Sequence, residues 1–327
     1  MIRDLSLAIA PSTHEDQVRE LLLKGFAKKG LNVKQDSHGN VLAYKSIGEN
    51  PVILSAHMDE IGIMVKYIDK DGYIRFVRLG GYDPRYLLGR SVVIFGKEEV
   101  GGIVQVEGDI EEKEKIKTKD LFIDTGLTKK ELQELVLPGD AGGVVGTFNE
   151  TNLYIQGKSL DDRLGCYVLL EIAEDVPDNV VLMGSVQEEV SHEGKGAMLA
   201  SWELDPSMFI AVEVAGADDA PGGRESIALG KGPAITVSEI SAIGNVARRE
   251  FVQGFLYLAN KEGIDVQLEV TEHSATEASN LFNMKAGIPS IAISTPIRYI
   301  HTFNEMAHKK DIEDTIRLLR AFLRTLQ

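Results

Sequence analysis

Five short segments of the sequence present histidine or carboxylate groups: His57-Met58-Asp59, Asp161-Asp162, Glu188-Glu189, Glu213 and His301. A mixed His/carboxylate set is the donor chemistry of zinc, cobalt or manganese sites. Each fragment is weak evidence alone, because the chain holds 7 His and 50 Asp plus Glu and adjacent acids usually form a solvated face. Their meaning depends on whether the fold gathers them.

The surrounding pattern predicts that it does. A helix is predicted over 15–29, with Val18, Leu21, Leu22 and Phe26 on one face, followed by the β-type runs LNVKQ, VLAYK and VILSA. VILSA runs straight into His57. After residue 157 strands and helices alternate: a helix over 162–175, NVVLMGSV, a helix over 196–202, SMFIAVEV, PAITVS, a helix over 245–262, IDVQLEV, a helix over 277–286, PSIAIST and a last helix over 312–326. This alternation predicts an α/β fold, a mixed open sheet with helices on both faces. In such sheets ligands bind beyond the carboxyl ends of the strands, at a switch in strand order. His57, Glu188-Glu189, Glu213 and His301 all follow or end predicted strands, and Asp161 opens a predicted helix.

Between these parts the texture changes. Gly-punctuated runs YIRFVRL, SVVIFG, GGIVQVEG, GGVVGTF and LYIQG dominate, broken by the charged EEKEKIKTKD and one short helix predicted over 129–136. Closely spaced short strands predict a small β-barrel or sandwich. The expected division is a catalytic domain from 1–65 and 158–327, with 66–157 as an inserted small β-barrel domain.

Composition narrows the partners. A formal net charge of −15 argues against nucleic acid, which needs clustered Lys/Arg. The single cysteine, Cys166, cannot form an internal disulfide, fits a reducing compartment, and sits in the apolar run CYVLL as a buried thiol rather than a nucleophile. The N-terminal stretch is too short and acidic for a signal peptide, and no apolar run suffices for a membrane span. A cytoplasmic protein without nucleic-acid or membrane partners is expected.

The ordered series SAHMDEIG, GKSLDDRLG, VQEE, AVEV with DDAPG, and IRYIH resembles the tetrahedral (TET) metallo-aminopeptidase family, whose members also carry the names glutamyl aminopeptidase and endoglucanase. The match covers essentially the whole chain. It implies a zinc-peptidase-like catalytic domain and a β-barrel or PDZ-like insert with roles in oligomerisation and access. It further implies two divalent metal ions per subunit, zinc or cobalt first and manganese next. His57 would bind one metal, with Asp59 fixing its tautomer. Asp161 would bridge both, Glu213 would complete the first site, and Glu189 with His301 the second. Glu188 would be the general base acting on the water between the metals. Short peptides would be the substrates, cleaved at the N-terminus, inside a dodecamer built from dimers.

Three positions depart from the family pattern. Glu213 and Glu277 stand where the family usually has Asp, and VSHEGKGA is longer than the usual turn. His192 within it reads as an exposed loop residue; His14, His38, His273 and His308 read as structural or surface groups. Arg298 and Tyr299 are open between pocket lining and packing, and Lys231-Gly232 lacks the context of a phosphate loop. Among rival functions, a glycosidase is disfavoured by the single Trp202, since sugar clefts want aromatic platforms, and by two motif histidines without a task in that chemistry. A metal-dependent N-acyl amino acid deacylase and a catalytically impaired assembly subunit remain as alternatives.

Overall fold

The structure, a computed structural model, describes all residues except 111–114, 192–193, 224–225, 241–243 and 273. A short helix that the sequence reading did not expect, α1 (Ile2–Leu7), precedes the expected one, α2 (Asp16–Lys28), followed by β1 (Asn32–Gln35), β2 (Val41–Tyr44) and β3 (Val52–His57). Six strands then close on themselves as a barrel: β4 (Gly62–Ile68), β5 (Ile74–Leu79), β6 (Ser91–Phe95), β7 (Glu99–Val106), β8 (Leu121–Asp124) and β9 (Ala141–Val144), with α3 (Lys129–Leu135) between the last two. The barrel has its own core of alternate inward residues, including Ile63, Ile74, Ile94 and Ile123.

The chain leaves the barrel through β10 (Phe148–Glu150) and β11 (Tyr154–Gly157), enters α4 (Leu160–Ile172), and continues through β12 (Val180–Ser185), α5 (Lys195–Leu204) and β13 (Met208–Gly216). Then follow β14 (Ala234–Glu239), β15 (Asn245–Val246), α6 (Arg249–Glu262), β16 (Gln267–Thr271), α7 (Ala278–Leu281), β17 (Ser290–Arg298), β18 (Glu305–His308) and α8 (Lys309–Leu323). The large sheet runs β1-β2-β12-β3-β13-β17-β18-β11-β10, with β14, β15 and β16 branching from β17. Its centre, β12-β3-β13-β17, is parallel and its flanks are antiparallel. Strand order reverses between β3 and β13, which makes their carboxyl ends the switch point.

Side-chain alternation divides the sheet between two cores. Leu54, Leu182, Ile210 and Ile293 pack under α2, α4, α6 and α8 on one face. Ile53, Val181, Phe209 and Ala292 pack under α5 and α7 on the other. His57 and Glu213 share the parity of Ile53 and Phe209. They therefore emerge on the face carrying the two shorter helices, where room for a cleft remains.

Later elements also differ from the sequence reading. LYIQG, grouped above with the Gly-rich runs of the insert, pairs through β11 with β18 in the large sheet, because Ile155 is buried in the larger core. The predicted helix over 245–262 loses its first turn to a short hairpin in which Asn245 pairs with Glu239. The predicted helix over 277–286 is a single turn, Ala278–Leu281, and the chain then runs through turns in which Lys285 is left-handed (φ 49) before Pro289. Conversely α8 begins early, at Lys309, since the His308 Nδ1 accepts from the Lys310 N–H at 3.1 Å and caps it.

The two crossings between sheet and barrel are tied by a buried knot. Lys158 donates to Glu60 and, at 2.9 Å, to the carbonyl of Ala8; Ser159 also donates to Glu60, and the Ala10 N–H reaches the same carboxylate at 2.7 Å. Neither Lys158 nor Glu60 is more than 2% exposed. The knot fixes the barrel's β4 wall against the mouth of the cleft.

Candidate active site

His57 leaves the end of β3 with its ring buried. The ring is held from one side by the Asp59 carbonyl, 3.1 Å from Nδ1, so Nε2 faces the cleft. There Nε2 lies 3.0 Å from Asp161 Oδ1 and 3.8 Å from Glu213 Oε2. The other Asp161 oxygen, Oδ2, lies 3.3 Å from His301 Nε2, which is 3.6 Å from Glu189 Oε2. His301 is oriented in turn by the Gly81 carbonyl, 2.7 Å from Nδ1, a contact supplied by the barrel. One carboxylate thus stands between two histidines, one at the end of β3 and one in the turn between β17 and β18, each with a glutamate beside it.

The five sequence-predicted ligands meet in this cluster. Donor atoms of His57, Asp161 and Glu189 lie within 4.8 Å of one another, and so do those of His57, Asp162 and Glu213. Asp162 is the least free of these, because its oxygens accept from the His57 N–H at 3.2 Å and the Gly165 N–H at 3.0 Å. Gly165 must be glycine: a Cβ there would lie 2.1 Å from the Val212 carbonyl oxygen and 2.4 Å from Asp162. Glu188 lines the same cavity. Asp59 does more than face His57. Its carboxylate accepts the N–H of Glu188 at 3.0 Å, the N–H of Glu189 at 3.2 Å and the Ser12 hydroxyl at 2.6 Å, so it sets the turn that presents both glutamates.

Two anchors lie outside the expected ligand set, and only Glu277 carried a sequence signal, as a departure from the family pattern. Glu305, on β18 four residues after His301, accepts from the His301 N–H and the Asp161 N–H, both at 3.1 Å, and joins the two sides of the cluster. Glu277 accepts from Ser55 at 2.5 Å and from Ser185, pinning the ends of β3 and β12 together beneath the site. It is fully buried and acts as a brace rather than a donor to the cavity. Arg298 is taken up by Asp219, with both contacts at 2.6 Å, while Ile300 lines the cavity. Cys166 is fully buried against the His57 carbonyl, and Gly232 donates its N–H to Asp311 as part of a loop anchor. His192 and His273 lie outside the described residues.

The electrostatics call for cations. Burial drives the Glu189 carboxyl up to about 7 and pushes Glu188 and Glu213 well above the ordinary carboxylate range, reinforced by their acidic neighbours. Burial opposes charge on His57 and His301, yet Asp161 and its neighbours raise both, His301 to about 10. Asp161, although buried, is held below its ordinary value by those two histidines. Among the described residues, no Lys or Arg pairs with Asp161, Glu189 or Glu213, and the Glu213 Oε1 is buried with no hydrogen-bond partner. An orphaned carboxylate oxygen beside a His/carboxylate set fits a divalent ion.

Around the cluster opens a cavity of about 810 Å³, walled on one side by Arg78, Gly80 and Gly81 of the barrel and on the other by Glu269 and Thr276. The family model described as M42 glutamyl aminopeptidase matches residues 39–318. The chain belongs to the M42 glutamyl aminopeptidase family.

A lysyl aminopeptidase from Pyrococcus furiosus is 32% identical over 95% of this chain and 92% of its own length. The aminopeptidase APDkam598 from Desulfurococcus kamchatkensis superposes with a TM-score of 0.91 at 30% identity, covering 98% of this chain and 93% of that one. The Pyrococcus horikoshii TET1 peptidase, which can assemble into a tetrahedron or a large octahedral shell, gives 0.86 at 29% identity over 98% and 97%. Membership in the M42 family makes hydrolysis by an aminopeptidase the chain's class of activity. No described helix is long and apolar enough to cross a membrane.

Proposed function

We propose that the chain is a two-metal aminopeptidase that removes N-terminal residues from short peptides. The observation that supports it best is Asp161, with one oxygen toward His57 and the other toward His301. In this reading His57 and Glu213 would hold one zinc, cobalt or manganese ion and Glu189 with His301 a second, with Asp161 available to each. When bound, such ions lower the pKa of a shared water and polarise the scissile carbonyl.

The protein's own groups do the rest. Asp59 holds the Glu188 backbone, so the Glu188 side chain reaches the cavity from a fixed turn. Its pKa, raised by burial, suits a group that first takes the water's proton and then returns it to the leaving amine. The barrel wall, through Gly81 on His301, makes the site dependent on the insert. Assembly into a dodecamer built from dimers, in keeping with the shells of the TET1 peptidase, would admit short or unfolded peptides to an enclosed space.

A panel of unblocked and N-blocked aminoacyl anilides, given to metal-stripped protein with zinc, cobalt or manganese restored, tests this reading. Hydrolysis of the unblocked set only after metal is restored is expected. Activity confined to blocked substrates would make the chain a deacylase. Activity indifferent to stripping would sink the metal mechanism.

A further inference from the structure

The cavity wall opposite the barrel holds charges that the hydrolytic machinery does not use. On β16 the side chains alternate, with Leu268 and Val270 outward at 51% and 67% exposure and Glu269 turned toward the cavity it lines. Glu269 Oε2 accepts from the Thr236 hydroxyl at 2.7 Å, and no Lys or Arg pairs with it among the described residues. Behind this wall lies a second acid. Glu239, 2% exposed, uses Oε2 to accept from Ser279 at 2.6 Å and from Thr276, itself a lining residue, at 3.2 Å. Its other oxygen, Oε1, is buried with no partner at all. Burial raises both carboxyls, Glu239 to about 7, and the proximity of Glu269 raises Glu239 further. Two desolvated acids with no countercharge either keep their protons or take up a cation.

The same cavity is lined by Glu269, by the His/carboxylate cluster and by the apolar Val214, Ala275 and Ile300. An aliphatic stem ending in a positive head matches a cavity that offers both apolar side chains and an acid without a basic partner. Arg78 stands on the far, barrel wall, with its guanidinium 5.4 Å from the Tyr82 ring centroid, and does not neutralise Glu269.

We infer that Glu269, backed by Glu239, forms a cation-binding subsite that selects substrates whose N-terminal residue is lysine or arginine. The inference rests on the aminopeptidase reading for its catalytic consequence, but its binding consequence stands apart.

Metal-loaded full-length protein is assayed on lysyl, arginyl, leucyl and glutamyl anilides, as wild type and as Glu269→Gln. Calorimetric titration with free L-lysine and with L-norleucine, which lacks the terminal ammonium, supplies a readout independent of turnover. Wild type should favour lysyl and arginyl substrates, and Glu269→Gln should lower their kcat/KM about tenfold more than that of the leucyl substrate. Lysine should bind more tightly than norleucine, and the gap should close in Glu269→Gln. A wild-type preference for the leucyl or glutamyl anilide, or an equal loss on all four, overturns the inference, as does equal binding of lysine and norleucine. Should wild type cleave none of the free-amine substrates while binding lysine selectively, the aminopeptidase reading falls and the cation subsite stands.

Discussion

Glu188 and Glu189 are chain neighbours with different surroundings. Glu189 lies 3.6 Å from His301 Nε2, whereas Glu188 lines the cavity with no histidine ion pair among the described residues. If Glu189 is a ligand and Glu188 the base, Glu188→Gln should keep both metals and lose about 10²–10⁴-fold in kcat, as measured by elemental analysis beside steady-state kinetics. Loss of metal from that variant would exchange the two roles. Glu305 reaches the site through the backbone N–H groups of His301 and Asp161. Glu305→Gln keeps one acceptor but turns an amide toward the other N–H, so both ligands should loosen. Metal affinity, read by competition with a coloured chelator, should fall about 10–100-fold. An unchanged affinity would show that the two N–H groups hold without it. At this scale the sequence is only partly legible. His57, Asp161, Glu188, Glu189, Glu213 and His301 stand in ordered motifs, while Glu305 and Glu269 follow no pattern, because what defines them is a hydrogen-bond partner or a cavity wall many residues away.

At the scale of elements, the alternation after residue 157 was readable because the central strands are buried apolar runs and α6 and α8 are amphipathic. What escaped was set by pairing rather than by local pattern. β18 is four residues long and exists because it lies between β17 and β11, and β15 is two residues recruited by β14. The junction of barrel and sheet was equally hidden, since Glu60 and Lys158 are 98 positions apart. Removing one member of this buried pair leaves the other unpaired in a dry interior. Lys158→Met should therefore lower unfolding stability by roughly 3–5 kcal/mol in urea titrations, and adding Glu60→Gln should restore part of it. If the double variant is no more stable than the single one, the knot contributes by packing rather than by charge. The Lys158 contact with the Ala8 carbonyl, lost in both, sets the part that does not return.

For the whole molecule, charge and shape pull in opposite directions on assembly. A net charge of −15 makes copies repel. Against this, β16 is an edge strand that pairs only with β14 and turns Leu268 and Val270 outward, with Val246 on the neighbouring β15 68% exposed. A sheet edge with apolar side chains is seldom left to solvent. If apolar contacts hold the oligomer together against like charge, salt should strengthen it by screening the repulsion, since the Debye length falls from about 30 Å at 0.01 M to about 8 Å at 0.15 M. Light scattering coupled to gel filtration should then give twelve times the mass of one chain at physiological salt and smaller species at low salt. Hydrolysis of a tripeptide should continue in both, because each subunit carries the complete cluster from His57 to His301 and its own barrel wall. Attack on a folded protein's N-terminus should be absent from the large species. A single-chain mass at every ionic strength would remove the enclosed chamber from the proposal and leave the chemistry of the site intact.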